Sequence, residues 1–427
     1  MAINQDVLVI GGGIAGLSAT LAAAQGGVNV RLVSHAETTL HHASGLLDVL
    51  GYTPDGDGPI EDPFAAIADL PDDHPYAIVG EDTVRAGLEM IDEVLGDAYL
   101  GGHTDTNALV PTHGATIKPT ARYPASVAAG LASDDRDMLL VGFERLTDFD
   151  PGVAAAHLER AGIPAKTKAA TIEFPVIVRD DAKVTRYATL LDRNTTVEHD
   201  GRKQSVRAAV AAAVKPHATD VERIGFPAVL GDDNPDVIRA ELEDRLGVDV
   251  FEVPMGPPSL PGFRLEDRLY AALDDESNAH IETGRPIVDV TAEDGRIEEV
   301  YLDRSGQRIP YAAEEYVLAT GGVASEDGIV SDPAQISEPI FDCYVAHSSD
   351  RYEWFEDEAF GDHPFVQFGV DVDEQLQPTD AGGDLEFSNL RAAGAVIGGY
   401  DWAAEKSGSG VSIATGYDAG RRAAEEV

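Results

Sequence analysis

Glycines at 11, 13 and 16 stand in the spacing G-x-G-x-x-G, and no other residues in this chain imply chemistry so directly. The first allows a tight turn, the second lets backbone approach a pyrophosphate, and the third lets a helix pack closely on a strand. With Gly12 and Ala15 they make a turn whose following helix would offer free amides and its positive dipole end to a phosphate. Alone the spacing is weak, and a glycine-rich turn in an α/β domain need hold nothing. The flanking residues strengthen it. Residues 6–10 are a nearly all-apolar run of the kind buried on both faces of a parallel sheet. Leu17, Leu21 and several alanines follow at helical spacing, Gly26-Gly27 stops the helix, and 28–33 is a second apolar run. Strand, turn, helix and strand within about 30 residues is the length of a dinucleotide-binding unit.

One contact is missing from that unit. The strand end that often carries an acid for the ribose hydroxyls reads Ser34-His35, and the nearest acid is Glu37. Beyond it, His41 and His42 with Ser44-Gly45 form a candidate loop facing a flavin or a substrate, although Ser44 can equally cap a helix start. Arg264 leaves a Pro- and Gly-rich stretch, 253–265, expected to be rigid and exposed. Its guanidinium could pair with a phosphate, or equally serve an ion pair in an interdomain crossover. The apolar run ending at Gly321-Gly322 lets backbone come close to a ligand at the carboxyl end of a sheet. Residues 387–399 read as a short strand with a glycine turn at Gly394. Gly408-Ser409-Gly410 then opens a helix whose amides would face a negative group.

These stretches need a scaffold. The pattern predicts an α/β chain: a Rossmann-like flavin-binding domain built from 1–75 and 256–427, with an α+β domain over 76–255 inserted between. Within the insertion, helices are expected over 83–94, 153–161, 186–192, 206–214 and 235–246. A strand pair is expected within 109–120, strands at 138–143 and 173–178, and a turn at Gly225-Phe226-Pro227. Strands should alternate with turns through 281–320.

Composition excludes several classes of function. Acids outnumber bases by 76 to 31, a formal charge of −45, and only seven of the bases are lysine. Such a surface repels nucleic acid and anionic lipid and strains its own compact state at low ionic strength. At molar salt, with a Debye length of about 3 Å, that repulsion fades. A salt-rich cytoplasm is the expected habitat. The lone Cys343 leaves no disulfide, redox pair or cysteine-held cluster within the chain, and no metal site is expected. No 18-residue apolar stretch and no charged-then-apolar leader is visible, so neither a membrane span nor a signal peptide is expected.

The N-terminal glycine unit, the Leu-Ala-Thr-Gly-Gly strand end and the Gly-Ser-Gly helix together resemble the flavoprotein superfamily of fumarate reductases and glutathione-reductase-like enzymes. More narrowly, residues 40–48, 109–120, 257–265 and 389–399 resemble the B-subunit of anaerobic glycerol-3-phosphate dehydrogenase, nearly end to end. The resemblance implies that this chain is a flavin subunit with two partners, a larger flavin-bearing A-subunit and an iron–sulfur C-subunit that reaches the membrane. The complex would oxidise sn-glycerol 3-phosphate to dihydroxyacetone phosphate and pass electrons to quinone, at the inner face of the cell membrane. It also implies FMN. The missing acid at Ser34-His35 and the alanine at 395 fit FMN, whereas a turn shaped for pyrophosphate fits FAD. His41 or His42 is then the candidate base, with Lys118, Arg122 and Arg264 as phosphate donors. Two other readings stay open: a stand-alone flavin oxidoreductase on another small hydroxy compound, and a flavin-fold scaffold without turnover.

Overall fold

Apolar runs and glycine stops set the order of elements. In the computed structural model, described for all residues except 1, 37, 115, 181, 324, 326, 327, 333, 334 and 360, Val7–Ile10 are almost fully buried at the end of β1 (Ile3–Ile10). Glu37, the acid nearest the second strand, lies outside the described residues. Helix α1 (Ile14–Gln25) buries Ala15 through Ala24, which suits a helix covered on all sides, and leads to β2 (Val30–Val33). Helix α2 (Glu81–Leu95) begins with two acids at its positive end. An antiparallel pair follows, β3 (Ala108–Pro111) with β4 (Ile117–Thr120).

Strand β5 (Met138–Phe143) is buried at every residue. Helix α3 (Pro151–Ala161), capped by Asp150 through the amides of Gly152 and Val153, returns to β6 (Thr167–Ile172). Helices α4 (Val184–Arg193) and α5 (Val206–Val214) precede β7 (Arg223–Pro227). Helix α6 (Pro235–Leu246) connects to β8 (Asp249–Val253), and α7 (Leu260–Asp275) follows. The chain ends with β9 (Ala279–Glu282), β10 (Ile287–Glu293), β11 (Arg296–Arg304), β12 (Gln307–Leu318), β13 (Leu390–Ala392) and α8 (Gly408–Glu426).

Two compact units result. The first comprises Met1–Thr39, Asp48–Val94 and Arg268–Val427. Its sheet has the order β9-β2-β1-β12-β11-β10, with β13 also pairing β12. Strands β9, β2, β1, β12 and β13 run parallel, so their carboxyl ends share one edge. Helices α1 and α8 meet at backbone distance: a Cβ on Gly416 or Gly420 would stand 2.4 or 2.1 Å from the carbonyl oxygens of Ala15 and Ala19.

The second unit comprises Leu40–Leu47 and Leu95–Asp267. Its main sheet is parallel throughout, in the order β8-β7-β5-β6. Phe143 stacks on Tyr187 and Phe226 in its core, and Phe174 closes edge-on.

Four expectations change. The seams fall after Val94 and Asp267 rather than 75 and 255, because α2 packs on α8: a Cβ on Gly87 would lie 3.3 Å from the Ala414 Cα. The strand expected at 173–178 is β6, six residues earlier; Pro175, which lacks an N–H, stands where that strand would need a donor. Gly225-Phe226-Pro227 is not a turn but the buried end of β7. Gly225 is there because a Cβ would meet Phe251 at 2.5 Å. Finally, 253–265 is mostly buried, not an exposed path, because α7 begins at Leu260 and continues through Pro261, Gly262 and Arg264.

Candidate functional site

The carboxyl edge of the first unit's sheet encloses a cavity of about 480 Å³. Gly11, Gly12 and Gly13 leave β1 into it, Ser34 and His35 leave β2, and Ala319, Thr320 and Gly321 leave β12. Arg285 reaches it from beyond β9, and Ala393 and Ala395 from beyond β13. Adjacent strands are about 4.8 Å apart, so five parallel strand ends span about 19 Å. The glycine turn lies in the middle of that row, with space on either side.

Each glycine of the turn is fixed for its own reason. Gly11 has φ +120°, and a Cβ there would stand 2.1 Å from the Ala319 carbonyl oxygen. A Cβ on Gly16 would strike the Gly11 carbonyl oxygen at 1.9 Å, so it is the close-packing residue and does not line the cavity. A Cβ on Gly13 would meet no atom of the described residues within 4 Å, and Gly13 caps α1 without a side-chain hydrogen bond. The start of α1 therefore opens onto the cavity with no anion among the described residues at its cap.

Charge points the same way. None of the described residues lining the cavity is acidic, in a chain with 76 acids among 427 residues. Thr320 Oγ1 is shielded from solvent and has no hydrogen-bond partner among the described residues. A buried hydroxyl left this way costs about 1–3 kcal/mol unless a ligand completes it. An extended, phosphate-bearing ligand fits the shape, the charge and the orphaned donor. The turn and the strand end at Gly321 were legible in the sequence. Arg285 and the lack of acids among the described lining residues were not, because β9 joins β2 from about 250 residues away and no local pattern announces that.

The other expected site residues lie elsewhere. Gly322 and Gly394 are not among the lining residues: a Cβ on Gly322 would meet the Ala395 carbonyl oxygen at 2.5 Å, and one on Gly394 the Ala15 Cβ at 2.7 Å. Both let neighbouring segments pack closely against residues that line the cavity. Gly408, Ser409 and Gly410 do not present amides to a ligand there. The Asp48 amide donates to Ser409 Oγ at 2.7 Å, and a Cβ on Gly410 would stand 2.1 Å from the Tyr76 hydroxyl, so this helix start is filled by its own chain. Further along the helix, Ser412 does line the cavity.

His41, His42, Ser44, Gly45, Lys118, Arg122 and Arg264 all belong to the second unit. His41 stacks on Phe263 at 5.5 Å, meets the His42 ring edge-on at 4.1 Å, and has Nδ1 3.8 Å from a Glu266 carboxylate oxygen. The His41 carbonyl accepts from the Ser259 amide, which ties this loop to the start of α7. Gly45 accepts from the Tyr99 hydroxyl at 2.8 Å, Ser44 Oγ accepts weakly from the Leu46 amide, and Lys118 lies on β4. Arg122 is buried and donates to the carbonyls of Gly101 and Ala121.

Arg264 is not available as a phosphate donor. Its Nη1 and Nη2 lie 2.6 and 3.1 Å from the two oxygens of fully buried Glu252, and Nε donates to the Gly231 carbonyl. Burial alone would raise the Glu252 pKa, but the charge and hydrogen bonds of Arg264 reverse this and hold it below the ordinary value. Cys343 is buried, and burial next to Glu338 and Glu386 pushes its thiol far up. Among the described residues no group of His, Cys, Asp or Glu could hold a metal, and no helix is long and apolar enough to cross a membrane.

Several known proteins are similar to this chain. A family model described as an FAD binding domain matches residues 6–411. A Halobacterium salinarum protein described as the probable B-subunit of anaerobic glycerol-3-phosphate dehydrogenase is 60% identical over 427 residues, all of this chain and 99% of that one. The B-subunit of anaerobic glycerol-3-phosphate dehydrogenase from Pectobacterium atrosepticum is 31% identical over 96% of each chain. An open flavocytochrome c3 fumarate reductase aligns over 99% of this chain and 78% of that one, at 12% identity and a TM-score of 0.45. The FAD binding domain match corrects FMN to FAD. The missing acid after β2 and Ala395 misled, because the cavity extends to both sides of the glycine turn. A mononucleotide with its phosphate at that turn fills only one side, and a dinucleotide reaches across. On these matches, the chain belongs to the B-subunit family of anaerobic glycerol-3-phosphate dehydrogenases, within the FAD-binding proteins.

Proposed function

We propose that this chain is the FAD-carrying subunit of a membrane-associated complex that oxidises sn-glycerol 3-phosphate to dihydroxyacetone phosphate and delivers the electrons to quinone. The observation that carries the reading is the cavity across five parallel strand ends, with no acid among its described lining residues, centred on a glycine turn with an uncapped helix behind it. It occurs in a chain 60% identical, over its whole length, to a protein described as a probable B-subunit of such a dehydrogenase.

Oxidising a secondary alcohol removes a hydride from carbon and a proton from oxygen, and bound FAD supplies the hydride acceptor. The chain's own part is to exclude water, to hold the pyrophosphate at Gly11–Gly13, and to receive the proton. His41, or His42 beside it, is the candidate base; Glu266 orients His41 electrostatically and Phe263 fixes the plane of its ring. Lys118 and Arg122 are the remaining candidates for the substrate phosphate, now that Glu252 holds Arg264. A single buried cysteine offers nothing for an iron–sulfur cluster, so electrons leave through two partner chains. One is larger and carries a flavin; the other carries iron–sulfur clusters to the inner face of the membrane.

The test uses the purified chain and then the assembled complex. A visible flavin spectrum, with FAD released by acid, is the expected first result. Bleaching of that spectrum by glycerol 3-phosphate in the complex is the second. A colourless protein that takes up no FAD would overturn the reading.

A further inference from the structure

We infer that Arg285 holds the adenosine end of the bound FAD, in the place where related dinucleotide units set an acid at the end of the second strand. The inference rests on the FAD reading and adds the residue that makes the site prefer FAD to FMN.

The pyrophosphate belongs at the glycine turn, and in such units the adenosine ribose lies toward the end of β2. That end reads Ser34-His35, and Ser34 Oγ is spent on the Ala36 carbonyl at 2.7 Å. The neighbouring strand supplies what β2 lacks. The Ser34 amide donates to the Glu282 carbonyl at 3.1 Å and the Arg285 amide donates to the Ser34 carbonyl at 2.9 Å, so the β9–β2 pairing continues past the last ladder residue. Arg285 is thereby stitched to the position an acid would occupy.

Its side chain is aimed but not consumed. Nε lies 3.3 Å from Glu282 Oε1 and Nη1 3.3 Å from the Gly284 carbonyl, while Nη2 has no partner among the described residues. The other Glu282 oxygen accepts from the Tyr311 hydroxyl at 2.8 Å, which makes Glu282 a braced support for the guanidinium. Arg285 is the one Arg or Lys among the described residues lining the cavity. A planar guanidinium can donate to ribose hydroxyls and stack on the adenine face, and both groups are absent from FMN. It also avoids placing one more carboxylate near a dianionic pyrophosphate in a chain already at −45.

Full-length protein stripped of flavin is titrated with FAD and, separately, with FMN at molar KCl, following quenching of flavin fluorescence. The wild type should bind FAD more tightly than FMN. Arg285→Ala should weaken FAD by about tenfold or more and leave FMN within about twofold, as expected when a charged hydrogen-bonding group is lost from one ligand only. Unchanged FMN binding also shows that the variant keeps its site; the Arg285 side chain is 31% exposed, so its removal opens no core cavity. If FAD affinity does not change while the wild type still prefers FAD, the inference fails and the FAD reading stands. Equal weakening of FAD and FMN also overturns it. A wild type that binds FMN as tightly as FAD overturns both.

Discussion

Each unit of this chain is built on parallel strands, and each has a carboxyl edge where such sheets bind ligands. At the first edge the chain withholds side chains: among the described residues α1 has no side-chain cap, Thr320 Oγ1 has no partner, and no acid lines the cavity. At the second edge it supplies them. Glu252 at the end of β8 accepts the Leu230 amide and binds Arg264, and the Asp192 carboxylate receives the amides of Asp232, Asp233 and Asn234 just before α6. A carboxylate thus sits where a phosphate would sit in a nucleotide site. The topology creates an anion-binding edge in both sheets, and local side chains decide whether the chain or a ligand fills it.

The largest effect should come from closing the open edge. In Gly11→Ala, the new Cβ would stand 2.1 Å from the Ala319 carbonyl oxygen at φ +120°. Backbone strain and the clash together should cost more than about 5 kcal/mol, enough to leave little folded protein. Gly13→Ala separates folding from binding, because its Cβ meets no atom of the described residues within 4 Å. Thermal unfolding should place Gly13→Ala within about 1 kcal/mol of wild type, while its flavin content falls sharply. Equal loss of stability in the two variants would mean that the open edge is not a binding edge.

Next comes emptying the closed edge. Arg264→Ala leaves fully buried Glu252 without its partner, which should cost about 3–5 kcal/mol at neutral pH and leave flavin affinity unaltered. The pH dependence gives the sign. In the wild type the folded pKa of Glu252 lies below its ordinary value. Its contribution is therefore complete above the unfolded value of about 4.3 and is lost as pH falls through the folded one. Without Arg264 only burial and the smaller hydrogen bonds remain, and the folded pKa rises. The penalty then builds up as pH rises above about 4.3, so the deficit against wild type should shrink on acidification. Urea unfolding at a series of pH values measures this, and a deficit that grows in acid would contradict the assignment.

What the sequence made legible follows the same division. The glycine turn could be read because its spacing is local, with Gly16 answering to the Gly11 carbonyl, although Gly11 itself answers to the Ala319 carbonyl just past β12. Gly225 could not, because its reason is the Phe251 ring on the neighbouring strand, and so a buried strand looked like a turn. Arg264 looked like a ligand donor because its partner, Glu252, lies twelve residues upstream on β8, and nothing in the spacing announces that pairing. The stretch 40–48 looked like part of the nucleotide site, yet Leu40–Leu47 belongs to the second unit, where the Leu47 amide donates to the Arg122 carbonyl. Sequence spacing reported what a backbone does locally. It was silent about which distant side chain fills an edge.

The smallest effect is the most pointed test of the comparison. Asp192→Ala removes the carboxylate that receives three successive amides at 2.8, 3.4 and 3.2 Å. Loss of a cap of this kind should cost about 1 kcal/mol. It also exposes the start of α6 as a helix terminus with unanswered donors, the condition α1 already has in the first unit. Inorganic phosphate added at constant ionic strength should then raise the unfolding temperature of Asp192→Ala while barely moving flavin-loaded wild type, since a ligand stabilises only the state with a site for it. If phosphate moves both proteins equally, Asp192 does not stand in for an anion, and the second edge is closed by packing alone.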